Sequence, residues 1–119
     1  MEIKNRSLFF GDNLDILREK IPAEFFDLIY LDPPFSSKRP YNVLFKEGLQ
    51  ESESQIKAFE DTWSWTREAK TTFDELVTKT SKRVSSLMVA LEGFIGQNDV
   101  LAYLTMMTIR LLELHRVLK

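Results

Sequence analysis

Between Thr66 and Lys119 the chain contains no proline and repeats apolar side chains at helical spacing. A stretch of that kind is restricted to consecutive amphipathic helices. Phe73, Leu76 and Val77 fit a first helix. Val84, Leu87, Met88, Leu91, Phe94 and Ile95 fit a second, with Ser81 as its N-cap and Gly96 as its stop. Asn98 or Asp99 caps a third, whose apolar positions are Val100, Leu101, Leu104, Met107, Leu111, Leu114 and Leu118. Any sheet must therefore come from the first part of the chain.

That part begins with Ser7-Leu8-Phe9-Phe10, a short apolar run ending at Gly11-Asp12, which predicts a buried strand. Asp12 or Asn13 can cap the helix that follows, and Leu14, Ile16, Leu17 and Ile21 give it an apolar face. Pro22 stops it. Residues 26–31, Phe-Asp-Leu-Ile-Tyr-Leu, predict a second strand, apolar enough to be covered on both faces. Strand, helix and strand in roughly 30 residues make a right-handed parallel βαβ unit. The expected fold class is α/β: one βαβ unit within residues 1–46, then a mainly helical half over 47–119.

The linking region is less regular. Ser36-Ser37-Lys38-Arg39-Pro40-Tyr41-Asn42 reads as a polar, basic loop, and Val43-Leu44-Phe45 as an edge strand or a packed loop. Residues 47–61 are acidic, and about 54–59 read as helical. Trp63 and Trp65 follow; core or lid packing is favoured over stacking on a ligand.

With 119 residues and a net charge of -2, the chain is one domain at most. It has no cysteine, hence no disulfide framework and no thiolate metal site. His115 has no partner motif, so no metal is expected. The first residues lack a signal peptide's apolar core, and no run approaches the roughly 18 apolar residues that span a membrane. A cytoplasmic protein without a membrane partner is expected.

The chemistry concentrates at Asp32-Pro33-Pro34-Phe35, directly after the second apolar run. Open α/β sheets carry their sites outside the carboxyl ends of strands. A carboxylate there, with the carbonyl of Pro33 beside it, supplies two acceptors for the two N–H groups of an exocyclic amine. Consecutive prolines restrict φ and hold that carbonyl still. Phe35 supplies a face on which a flat ring stacks, worth roughly 1–3 kcal/mol in single-strand systems.

This tetrapeptide resembles the Asp/Asn/Ser-Pro-Pro-aromatic motif of the amino-group DNA methyltransferases, which methylate adenine N6 or cytosine N4. Phe10-Gly11-Asp12-Asn13-Leu14-Asp15-Ile16-Leu17 is similar to the segment that precedes the motif when it lies near the N-terminus. Residues 31–45 look like the extended motif of the permuted class, where the catalytic half comes first. Residues 114–119 resemble the end of the helix that precedes the next sheet strand.

The resemblance implies a partial Rossmann-like methyltransferase fold across residues 1–119, with DNA as partner and S-adenosylmethionine as cofactor. It implies that Asp32, Pro33, Pro34 and Phe35 are catalytic and that the base leaves the duplex to reach them. Asp12 either reaches the cofactor's adenosine end or caps a helix. Lys38 and Arg39 either meet DNA phosphates or form a solvated loop; Tyr41 and Asn42 either line the base pocket or pack at the surface.

One departure is large. The family's Phe-x-Gly-x-Gly cofactor loop is absent, and the chain has only four glycines. The chain is expected to be the N-terminal part of such an enzyme, of restriction–modification type, and inactive alone. The cofactor loop and target-recognition region would lie beyond it, or on a separate chain. The alternative is a non-catalytic DNA- or protein-binding module, since residues 66–83 hold five basic and three acidic side chains.

Overall fold

The computed structural model describes residues 3–33, 40–43, 56–60 and 63–119. The element order is α1 (Asn13–Lys20), β1 (Pro40–Val43), β2 (Ile56–Glu60), α2 (Arg67–Thr78), α3 (Lys82–Ile95) and α4 (Asp99–Val117).

Local chemistry explains the helix ends. Asp12 caps α1 by accepting from the N–H of Leu14, and the helix stops one residue before Ile21, which is extended because Pro22 follows. Thr66, Ser81 and Asn98 cap α2, α3 and α4 by accepting from the N–H groups of Ala69, Val84 and Leu101. Gly96, at φ +78°, ends α3.

Helix α4 is the spine. At about 1.5 Å per residue its 19 residues span about 28 Å, long enough to serve two apolar clusters. Leu101 and Ile109 join Phe73 and Leu76 of α2 and Met88 of α3 in one cluster. Val117, at the other end, joins Leu17 and Ile21 in a second, against which Phe9, Phe26 and Ile29 pack. The inward face of α4 differs from the expected one. Its buried positions are Leu101, Ala102, Thr105, Met106, Ile109 and Val117, whereas Val100, Leu111 and Leu118 are exposed. Leu87 and Phe94 of α3, also expected inside, face solvent.

The expected α/β fold with a Rossmann-like βαβ unit is not formed. Neither residues 7–10 nor residues 26–31 form a strand, Phe26 making only an isolated bridge. Among the described residues the sheet is β1 with β2, an antiparallel pair far from any βαβ arrangement. The helices α2, α3 and α4 instead carry the main core. The physical reason lies in what covers the two apolar runs. Phe9 and Ile29 pack inward, but Leu8 is 97%, Phe10 84%, Leu28 82% and Tyr30 90% exposed. Parallel strands are stable when both faces are covered, and two strands alone are marginal. Here one face meets helices and the other meets water. The pairing that does occur is a single parallel bridge between Phe26 and Leu118, where Phe26 donates to Val117 O and Lys119 donates to Phe26 O.

Two further expectations change. Pro40, Tyr41 and Asn42, read as loop, begin β1, and Ile56 to Phe59, read as helical, belong to β2. The register pairs Pro40 with Glu60, Tyr41 with Phe59, Asn42 with Lys57 and Val43 with Ile56, with an irregularity between Tyr41 and Asn42. Leu44 and Phe45 lie outside the described residues.

Glycines provide a stability test. Gly11 sits at φ +145°, and a Cβ there would lie 3.3 Å from Ile16 Cδ1. Gly93 lies within α3, where a Cβ meets nothing within 4 Å. Denaturant unfolding is expected to show Gly11→Ala destabilising by about 1 kcal/mol or more and Gly93→Ala stabilising by about 0.5–1 kcal/mol.

Candidate functional site

Asp32 is exposed and Pro33 half-buried, at the end of a segment without regular secondary structure. The inward anchor of that segment is Ile29, held against the second cluster. Pro34, Phe35, Lys38 and Arg39 lie outside the described residues, and Tyr41 and Asn42 lie on β1.

Leu31, directly before Asp32, lines an open cleft of about 730 Å³. Phe9, Gly11 and Asn13 line it from the other apolar run and the start of α1. The cleft thus joins the two segments singled out in the sequence, the Gly-Asp turn and the approach to the Asp-Pro-Pro motif. Lys4 and Arg6 add positive charge to its wall, and Arg6 holds a left-handed backbone at φ +62°.

Asp12 has a definite structural role. Its Oδ1 accepts from Leu14 N at 2.9 Å, and the Arg110 guanidinium donates to both carboxylate oxygens at 3.0 and 3.1 Å. The same guanidinium donates to Asn13 Oδ1 at 2.8 Å and to the carbonyl of Met106 at 2.9 Å. The α1 N-terminus, favourable for an anion, is thereby locked to the middle of α4. Arg116 does the same at the other end of α1, donating to the carbonyls of Leu17 at 2.7 Å and Ile21 at 3.0 Å. Those carbonyls lie at the helix end that attracts cations. Sequence reading did not single out Arg110 or Arg116; the available signal was a cation recurring within the apolar pattern of α4. Because the Arg110 side chain is mostly buried, Arg110→Met is expected to cost about 1–3 kcal/mol in a thermal or denaturant melt.

Both tryptophans pack internally. Trp65 meets Phe73 edge-on at 5.7 Å, and Trp63 meets Tyr103 at 5.9 Å. The Trp63 Nε1 atom is buried without a hydrogen-bond partner. His115 is exposed, on the outer face of α4. Among the described residues no cluster of His, Cys, Asp or Glu could hold a metal ion, and no helix is long and apolar enough to cross a membrane.

The described residues do not build a cradle for S-adenosylmethionine. The glycine-rich loop is missing from the sequence, and the Asp12 carboxylate is already committed to Leu14 and Arg110. What this arrangement offers chemically is one free carboxylate beside a partly apolar cleft. Comparison of the chain with family models, curated proteins and solved structures finds no match.

Proposed function

We propose that this chain is the catalytic portion of a DNA amino-group methyltransferase, acting on adenine N6 in preference to cytosine N4. It works when joined to a second portion that binds S-adenosylmethionine. The observation that carries the reading is the sequence Asp32-Pro33-Pro34-Phe35, with the Asp32 side chain unencumbered and exposed one residue beyond the cleft wall.

In this reading Asp32 and the Pro33 carbonyl accept hydrogen bonds from the two amine N–H groups of an extruded base. That grip draws the nitrogen lone pair out of conjugation with the ring and aims it. Phe35 stacks on the base and fixes its plane. The contribution of this chain is positioning and electrostatic stabilisation. The exposed side chains Leu8, Phe10, Leu28 and Tyr30 support the need for a second portion, because these two short segments leave four large side chains in water that a partner could cover.

Labelled methyl groups are expected to enter duplex DNA when the chain is mixed with its cofactor-binding portion. Calorimetry of the chain by itself is expected to show no tight S-adenosylmethionine binding. Tight binding by the chain by itself would contradict the division of labour.

A second reading, a protein-binding module, is favoured by one feature. Leu87, Ala90 and Phe94 recur on the outer side of α3, and Phe94 is 87% exposed. In that case no reconstituted mixture transfers methyl groups, and Phe94→Ser removes partner binding.

A further inference from the structure

The corner between α2 and α3 carries charge of one sign along the sequence. Residues 76–91 contain Lys79, Lys82 and Arg83 and no acidic residue, in a chain whose net charge is -2. All three side chains are exposed. The acids closest in sequence are engaged elsewhere: Glu75 pairs with Arg18 at 2.9 Å and Asp74 with Lys70 at 3.6 Å. Lys79, Lys82 and Arg83 have no ion-pair partner among the described residues.

The corner itself is rigid. Leu76 and Met88, on either side of it, are fully buried. Ser85 Oγ donates to the carbonyl of Val77 at 2.8 Å and stitches α3 to α2. Thr78 donates to the carbonyl of Asp74, Thr80 donates to that of Leu76, and Ser81 accepts from Val84 N–H. These four hydroxyls are therefore engaged within the fold, and Lys79, Lys82 and Arg83 face outward.

That charge is placed against local stability. Lys82 and Arg83 open α3, whose first turn contains no acid. Cations at a helix N-terminus oppose the macrodipole. Three unpaired cations on a fixed corner, two of them set where they weaken their own helix, suit an external polyanion better than the fold itself.

We infer that the α2–α3 corner, through Lys79, Lys82 and Arg83, binds the phosphodiester backbone of the DNA duplex. This rests on the DNA-substrate part of the proposed function and locates a contact away from the Asp-Pro-Pro motif. It also narrows the basic excess of residues 66–83. Lys70 is paired, and Arg67 lies about 18 Å from Lys79 along α2 at 1.5 Å per residue. Phosphate contacts of this kind position a duplex without reading its sequence.

The test is the salt dependence of binding to a short labelled DNA duplex, followed by fluorescence anisotropy. Each phosphate contact adds about 0.9 to the log–log salt slope, so the triple variant Lys79→Gln, Lys82→Gln, Arg83→Gln is expected to flatten it by about 2–3. Between roughly 50 and 200 mM salt, the affinity lost by the parent chain should exceed that lost by the variant by about 40-fold. The charge-keeping variant Lys79→Arg, Lys82→Arg, Arg83→Lys should retain the parent slope. The thermal midpoint of the Gln variant should stay level or rise, which separates lost binding from lost folding.

An unchanged slope in the Gln variant overturns the assignment, as does a parent chain that binds no duplex at low salt. A duplex RNA bound more tightly than DNA, with the same loss in the Gln variant, transfers the surface to RNA and overturns the DNA assignment. Methyl transfer is not part of this readout. Failure to methylate with an intact slope change removes the proposed reaction and leaves the corner standing; the reverse result removes the corner alone.

Discussion

Asp32→Ala is expected to lower methyl transfer by the assembled enzyme by about 10²–10³-fold or more, without weakening the fold. The rate prediction follows from the role assigned to the carboxylate. An acceptor aimed at an amine whose lone pair must be freed acts mainly in the transition state, and removing one such preorganised partner costs about 3–4 kcal/mol. The stability prediction follows from exposure. Asp32 faces solvent and takes part in no ion pair among the described residues, so its removal should fall within about 0.5 kcal/mol of neutral. Asp32→Asn keeps an acceptor oxygen and should retain more activity than the alanine variant. The measurement is incorporation of labelled methyl groups into duplex DNA, alongside a denaturant melt of each variant. Near-normal turnover by Asp32→Ala would end the methyltransferase assignment.

Leu76→Ala is expected to destabilise the chain by about 2–5 kcal/mol. Leu76 is fully buried on α2 and belongs to the cluster shared with Met88 of α3 and with Leu101 and Ile109 of α4. Truncation removes apolar burial and leaves a cavity at the junction of three helices, where each wall is held by a different element. Domains of this kind are stable by only about 5–15 kcal/mol, so the loss is a large share of the total. A denaturant midpoint that moves by less than the equivalent of about 1 kcal/mol would show that this cluster is not the principal core. The same substitution at the outward Leu87 should cost less than about 1 kcal/mol, because 54% of that residue is already exposed.

The two predictions differ in how far the sequence alone could support them. The case for Asp32 is legible in a row of four residues, since carboxylate, prolines and ring define a possible grip on an amine without reference to distant parts of the chain. The case for Leu76 needs partners. Its spacing with Phe73 and Val77 marks a helical face, but only the packing shows that α3 and α4 both close on it. Asp12 falls between. Its role as a cap is visible from its place before α1, whereas the Arg110 Nη2 group that donates to both of its oxygens belongs to a residue 98 positions away.

The helix ends were decided locally, and the sequence determined them. Asp12, Thr66, Ser81 and Asn98 each satisfy N–H groups within three residues, and Pro22 and Gly96 act through their own backbone. The tertiary structure decided which side of each element is inside. Period 3.6 in α4 allows several adjacent apolar stripes, and the neighbours α1, α2 and α3 selected the one through Leu101, Thr105 and Ile109. The same dependence explains the two early apolar runs. Their composition is that of buried strands, but a strand is completed by hydrogen-bonding neighbours and by cover on its second face. Residues 7–10 and 27–31 have helices behind them and water in front, so an apolar pattern that predicts a sheet remains, in this structure, a pair of irregular segments around the cleft.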